Sequence, residues 1–166
     1  MDSINKYIGR ELNWTHVKII GYVLHAYDEQ PGIAELNVQG LFGSKAEGKC
    51  DQGYWKFKRA GLLKNNISIM DGNSNKEIAL FKKKGPGGFL EVQNGKTFTI
   101  TRNALMTEYS LTLENQLVIN YQHKDNRPQV FLQSCAKEID ELPLLVVFLG
   151  YLVIMQRIDA KFAMPY

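Results

Sequence analysis

The side chains best placed to do chemistry in this sequence are cations. The segment Tyr54-Trp-Lys-Phe-Lys-Arg carries Lys56, Lys58 and Arg59, and Lys82, Lys83 and Lys84 follow as an unbroken run. Between residues 45 and 102 stand twelve Lys/Arg against five Asp/Glu (Glu47, Asp51, Asp71, Glu77 and Glu91), a balance of +7. The rest of the chain holds eight basic and twelve acidic residues, a balance of −4. The net charge of +3 says little by itself. Its distribution points to a surface that faces anions. Ammonium and guanidinium groups bind phosphate oxygens through charge-assisted hydrogen bonds. Near an anionic membrane each such cation contributes about 1 kcal/mol. The competing role for the same lysines is solubility, since exposed strands use Lys against edge-to-edge aggregation.

Other chemistry is poorly supplied. His16, His25 and His123 are far apart and lack metal-ligand spacing with Cys50 or Cys135. Two cysteines make no disulfide framework and read as free thiols. Gly85-Pro-Gly-Gly is rich in glycine, but no strand-to-helix context follows it, so it reads as a turn and not a phosphate loop. Glu138, Asp140 and Glu141 form a carboxylate cluster whose simpler role is at a helix N-terminus. The sequence therefore predicts no enzyme, no cofactor and no metal site. Nucleic acid is not expected either, because Lys56 and Lys58 alternate with Trp55 and Phe57 and so face away from the rings that would stack on bases.

The elements that hold these cations read as short strands. Successive side chains of a strand alternate between faces. That puts Trp55 and Phe57 on one side and Lys56 and Lys58 on the other. Ile67 and Ile69 repeat the pattern after a loop. Ile78 and Leu80 read as the half-buried positions of the next strand. On that phase Lys82 and Lys84 share the side of Ile78 and Leu80, so the strand is expected to end or leave the sheet near Lys82. Leu90 and Val92 alternate with Phe89, Glu91 and Gln93, and Asn94-Gly closes a hairpin. From Lys96 the pattern starts again: Phe98, Ile100 and Arg102 echo Trp55, Phe57 and Arg59, Tyr109 and Leu111 echo Ile67 and Ile69, and Leu117 and Ile119 take the places of Ile78 and Leu80. Val17 to His25 reads as one β-rich run, Ile33 to Phe42 as another, and Gln129 to Gln133 as the last. Ile4 to Ile8 reads as a short strand or turn, and Gly43 to Gly53 as a polar loop. Turns this close leave no room for crossover helices, so the sheet is expected to be antiparallel.

One stretch departs from this pattern. Leu142 to Met155 contains no charged residue, and Asp140, Glu141 and Arg157 bracket it. Fourteen apolar residues are too few for a membrane span, which needs about twenty. Pro143 suits a first helical turn. Glu138, Asp140 and Glu141 would lie at the positive end of the helix dipole, and Arg157 and Lys161 at the negative end. A helix apolar on every side must be surrounded. Residues 143–157 would span about 22 Å, and strands of six or seven residues about 20–23 Å. The expectation is mainly β: a closed antiparallel β-barrel of about 10–12 strands around a buried hydrophobic C-terminal α-helix at about 142–157, with Gly150 where strand side chains press close. Residues 1–166 read as a single domain.

This pattern resembles the Tubby C-terminal-like superfamily, which includes the LURP-one-related proteins and the phospholipid scramblases. The residues that carry the likeness are Tyr54-Trp-Lys-Phe-Lys-Arg, Ile67-Ser-Ile-Met-Asp-Gly, Glu77-Ile-Ala-Leu-Phe-Lys, their echo at 98–121, and the Leu142–Met155 helix. The resemblance implies a twelve-stranded barrel around the helix and a non-catalytic module for anionic lipid head groups such as phosphoinositides. Lys56, Lys58, Arg59, Lys82, Lys83 and Lys84 would be the binding residues. The Cys-rich, Pro-rich and acidic calcium-binding segments of the scramblases have no counterpart in this sequence. The expected partner is an anionic membrane surface or another protein. The start of the chain has no basic stretch followed by an apolar one, so the expected location is cytoplasmic and peripheral at the membrane.

Overall fold

Every residue from Leu142 to Met155 is buried, on all sides of one α-helix, α1 (Leu142–Ala163). Twelve strands enclose it. The computed structural model describes residues 3–17, 19, 21–26, 31–40, 43–60, 66–105, 107–124 and 127–163, without the side chains of 124 and 158–163. The strands are β1 (Glu11–Val17), β2 (Gly21–Ala26), β3 (Ala34–Gln39), β4 (Lys45–Cys50), β5 (Gly53–Arg59) and β6 (Ile67–Asp71). They continue as β7 (Glu77–Lys84), β8 (Gly87–Val92), β9 (Thr97–Arg102), β10 (Glu108–Leu113), β11 (Gln116–Lys124) and β12 (Arg127–Leu132). Each pairs antiparallel with its neighbour in sequence, and β1 pairs with β12, so the barrel closes. Closure removes both sheet edges while covering the helix.

The inward side chains meet the helix directly. Phe57 stacks on Tyr151 at 5.3 Å between ring centroids and tilts against Phe148 at 5.6 Å; Phe81 meets Phe148 from the other flank at 5.5 Å. Three buried polar groups are satisfied across the interface. Trp14 Nε1 donates to the Tyr121 hydroxyl at 2.6 Å, and that hydroxyl donates to the Val146 carbonyl at 3.0 Å. The Tyr151 hydroxyl donates to the Gly43 carbonyl at 2.7 Å. Left unpaired at this depth, each would cost about 1–3 kcal/mol.

The helix is not centred. It lies closest to β3, β4 and β5. The inward positions of β4 are Ala46 and Gly48, and a Cβ on Gly48 would stand 2.3 Å from Val147 Cγ1. These small residues explain why 43–53 reads as a loop in the sequence but forms β4: the inner face carries no bulky apolar pattern. Gly150 answers from the helix side, since a Cβ there would lie 2.7–2.8 Å from the Trp14 indole. Large inward residues on the far wall, among them Phe81, Phe98, Ile100 and Tyr109, fill the wider side.

Several boundaries differ from the sequence reading. Ile4–Tyr7 is a 3₁₀ turn. The run from Val17 to His25 is broken between β1 and β2, and β1 begins at Glu11; its inward signal is only Leu12 and Trp14, too short to stand out. The phase of β7 is the reverse of that expected: Ala79 and Phe81 are buried, and Ile78 and Leu80 lie on the outer face. Four consecutive apolar residues, Ile78 to Phe81, leave the phase undetermined by alternation. Lys82 and Lys84 therefore continue outward from Ile78 and Leu80, and the strand runs to Lys84 without leaving the barrel. The helix also extends to Ala163, past the expected end near 157, because no breaker follows until Pro165. At about 33 Å it overshoots the strands. The side chain of Lys161 is outside the described residues.

The internal echo has a structural counterpart. Phe57 pairs with Ile69 and Arg59 with Ile67 on β5 and β6, as Ile100 pairs with Leu111 and Arg102 with Tyr109 on β9 and β10. Each second strand then carries an irregularity at the matching point, Ile69/Met70 and Leu111/Thr112. Beyond it, Ile119 corresponds to Ala79 and Tyr121 to Phe81, one residue out of step with the sequence alignment.

At its N-terminus α1 is tied to the β8–β9 hairpin. Lys96 Nζ lies 3.0 Å from Glu141 Oε2, and Asn94 Nδ2 hydrogen-bonds Glu141 Oε1. Burial alone would raise the Glu141 carboxyl. The Lys96 hydrogen bond, its own backbone N–H, Asn94 and the Lys96 charge together bring it below its ordinary value. A carboxyl held low in the folded state stabilises above its unfolded pKa, and that contribution is lost as pH falls through the folded one. Glu141→Gln should therefore cost about 1 kcal/mol at neutral pH and flatten the acid limb of the stability profile below about pH 4.3, as read by urea unfolding across pH. Gly150→Ala should be worse, by about 1–3 kcal/mol from overpacking against Trp14, measured by the same denaturation midpoints.

Candidate functional site

Because neighbouring strands run in opposite directions, the ends of β5, β7 and β9 meet at one end of the barrel. It is the end where the C-terminal half of α1 emerges. There the period-two alternation places Arg59, Lys83 and Arg102 on the inward phase of their strands. They ring a mouth whose other walls are Ile67, Phe81, Ile100, Tyr109, Leu152 and Met155. The space it encloses is about 80 Å³. It lies toward the wall away from β3 and β4, where the off-centre helix leaves room. The arrangement is a cationic collar over an apolar floor.

Each collar residue is held by its strand. Arg59 N donates to the Ser44 carbonyl at 2.9 Å, which ties the end of β5 to the segment before β4. Lys83 sits opposite Gly88 on β8 and is exposed. Arg102 faces Tyr109 across β9 and β10, and its guanidinium reaches the Tyr109 hydroxyl. Burial pushes the Tyr109 phenol up, and the Arg102 hydrogen bond and charge oppose that push. Arg102 Nε is buried and has no hydrogen-bond partner among the described residues. An unpaired buried donor of a cation is costly.

The six cations singled out in the sequence do not form one site. Arg59 and Lys83 reach the mouth, while Lys56, Lys58, Lys82 and Lys84 lie on the outer wall. Several of these four are engaged there. Lys56 Nζ donates to Asn75 Oδ1 at 2.8 Å. Lys82 Nζ lies 2.9 Å from Glu91 Oε2. Lys84 Nζ stands 5.6 Å from the centroid of the Phe89 ring. Lys58 is exposed beside Lys45 across β4 and β5. Arg102, which lines the mouth, is not among the cations singled out in the sequence. Its signal was present: it follows Phe98 and Ile100 at the spacing by which Arg59 follows Trp55 and Phe57.

The histidines and cysteines are dispersed. His123 stands near the end of β11 at the mouth end of the barrel, whereas Cys135 lies after β12 at the other end and donates through Sγ to the Leu117 carbonyl at 3.1 Å. They cannot act as a nucleophile–base pair. Burial holds the His123 imidazole below its ordinary pKa, and the Arg157 charge adds to this. Among the described residues no three His, Cys, Asp or Glu side chains are grouped to hold a metal ion, and no helix is long and apolar enough to cross a membrane.

Comparison with protein-family models, with curated proteins and with solved structures returned no match.

Removing the cation from the mouth should be visible at its tyrosine. In Arg102→Leu the Tyr109 phenol should titrate at a still higher pH than in the parent, followed by the ring ¹³C resonance; an unchanged or lower value would place the guanidinium elsewhere.

Proposed function

We propose that this protein is a non-catalytic binding module that takes an anionic, phosphate-bearing group at the mouth of its barrel. The observation that carries the reading is the convergence of Arg59, Lys83 and Arg102, from three different strands, on one apolar-floored opening. Further support comes from Arg102, whose Nε is buried without a hydrogen-bond partner among the described residues. The site differs from the strand face expected from sequence: the outer lysines Lys82 and Lys56 already have acceptors. A lipid head group and a free phosphate ligand present the same oxygens to the collar, and the experiment below distinguishes them. Resemblance to Tubby-like barrels agrees with an anionic ligand, as an analogy of fold only.

The experiment is a titration with inorganic phosphate, followed by amide shifts, beside co-sedimentation with phosphatidylcholine vesicles with and without phosphoinositide. Phosphate should move Lys83, Gly87 and Arg102 ahead of Lys56 and Lys82. Lys83→Ala and Arg102→Leu should each weaken binding about fivefold, the effect of about 1 kcal/mol. Lys82→Ala should change it little. Binding to the phosphoinositide vesicles but not to phosphate assigns a head group; the reverse assigns a free ligand. Phosphate shifts that track the outer lysines, or none at all, would remove the mouth as the site.

A further inference from the structure

The mouth sits in a rim whose other features point to a particular source of phosphate. Among the described residues four large hydrophobic side chains are exposed: Ile19 at 93%, Leu105 at 80%, Phe131 at 40% and Val17 at 38%. Three of the four belong to this rim. Val17 ends β1, Ile19 lies in the turn between β1 and β2, and Leu105 lies in the turn between β9 and β10. Phe131 alone is on the outer wall toward the opposite end. An exposed leucine at a turn tip gains nothing in water, and full burial would return about 1.5–3 kcal/mol.

Charge follows the same axis. Exposed Lys45, Lys58, Lys84 and Arg127 stand at strand ends on this rim, around the collar of Arg59, Lys83 and Arg102. Glu108 is the one acid among the described side chains of its strand ends and turns, and Asp159 lies on the part of α1 that emerges here. The acids gather at the other end, where Asp51, Glu114, Glu138, Asp140 and Glu141 lie in or beside the turns. A rim that concentrates cations and the exposed apolar tips matches one surface in both respects. An anionic bilayer offers phosphate at the head groups and hydrocarbon just beneath. Stable attachment to it takes two signals, apolar insertion and basic charge, because either alone is marginal.

We infer that this rim docks on an anionic lipid bilayer, with Ile19 and Leu105 entering the interface and one lipid head group seated in the mouth. The inference rests on the anion-binding reading above and names its ligand source. Tip-by-tip geometry gives each part a separate role: the apolar tips set membrane residence, and the collar sets head-group recognition. Attraction by the rim cations falls off within about 8 Å of the surface at physiological salt, so they orient the barrel only once it is close.

The test separates the two roles. Trp14 and Trp55 are buried at 1% and 7% exposure, so Leu105→Trp adds an exposed indole that reports its own surroundings. With phosphatidylserine vesicles carrying brominated acyl chains, that fluorescence should shift blue and be quenched, and with phosphatidylcholine vesicles it should not. The double variant Ile19→Ser/Leu105→Ser should lose vesicle binding by about tenfold or more while binding inorganic phosphate as the parent does. Unchanged vesicle binding in that variant, or an unquenched indole, overturns the docking inference and leaves the phosphate site standing. A concentration-dependent dimer that the same double variant abolishes, with vesicles ineffective, also overturns it and assigns the tips to self-association. Failure of phosphate to bind the parent protein removes the collar itself, a different result from either.

Discussion

A helix that is apolar around its whole circumference has to be covered on every side, and the rest of this structure follows from that requirement. Leu142 to Met155 is buried throughout. One sheet packed on one face would leave the opposite side of α1 in water. A sheet closed on itself covers the helix and loses its own edges in the same step. Helix and barrel are each other's core, with Ile4 and Tyr7 of the N-terminal 3₁₀ turn added to it. The buried hydroxyls of Tyr121 and Tyr151, hydrogen-bonded to Val146 and Gly43, fix the rotation of the helix inside the sheet. Burial supplies most of the stability, and these bonds select one arrangement from the many that apolar packing alone permits.

The position of the helix, off the barrel axis, leaves room for the mouth. Ala46 and Gly48 let α1 approach β4, and Gly150 lets it approach Trp14. Large residues fill the opposite side through most of the barrel. At the end where β5, β7 and β9 finish, the filling gives way to Arg59, Lys83 and Arg102. A charged side chain pointing inward is tolerated only at a rim, where its head can reach water along an apolar stem. The collar is thus a consequence of strands that keep their inward alternation one step past the core. The pairing of Arg59 and Arg102 at matching points of the β5–β6 and β9–β10 units gives the mouth two guanidinium groups with similar backbone settings.

Much of this architecture was legible in the sequence, and the misses have physical causes. The closed barrel around a helix follows from two patterns, fourteen consecutive uncharged residues and many short alternating runs. Gly150 as a point of close approach was legible because glycine costs a helix about 1 kcal/mol and needs a reason to be there. Strand β4 was not legible, because its inward residues are small where the helix comes near. The phase of β7 was not legible, because Ile78 to Phe81 are all apolar and alternation carries no information across them. That phase decides which lysines face the mouth. With the phase corrected, Lys83 turns inward and Lys82 and Lys84 turn out, toward Glu91 and Phe89. Arg102 was legible in principle, since the repeat aligns it with Arg59, but composition drew attention to the runs of lysine instead. Charge clusters in sequence mark strands with exposed faces; which cations converge depends on phase and register, and these are settled in three dimensions.

The dependence of the barrel on its helix is the central claim, and one chain truncation tests it most directly. A chain ending at Glu138 keeps all twelve strands and lacks α1. The account predicts that it shows no cooperative unfolding transition and no protected amides in hydrogen exchange, because the inward faces of the strands have lost their common partner. A truncated chain that unfolds cooperatively, with the strand amides still protected, would contradict it.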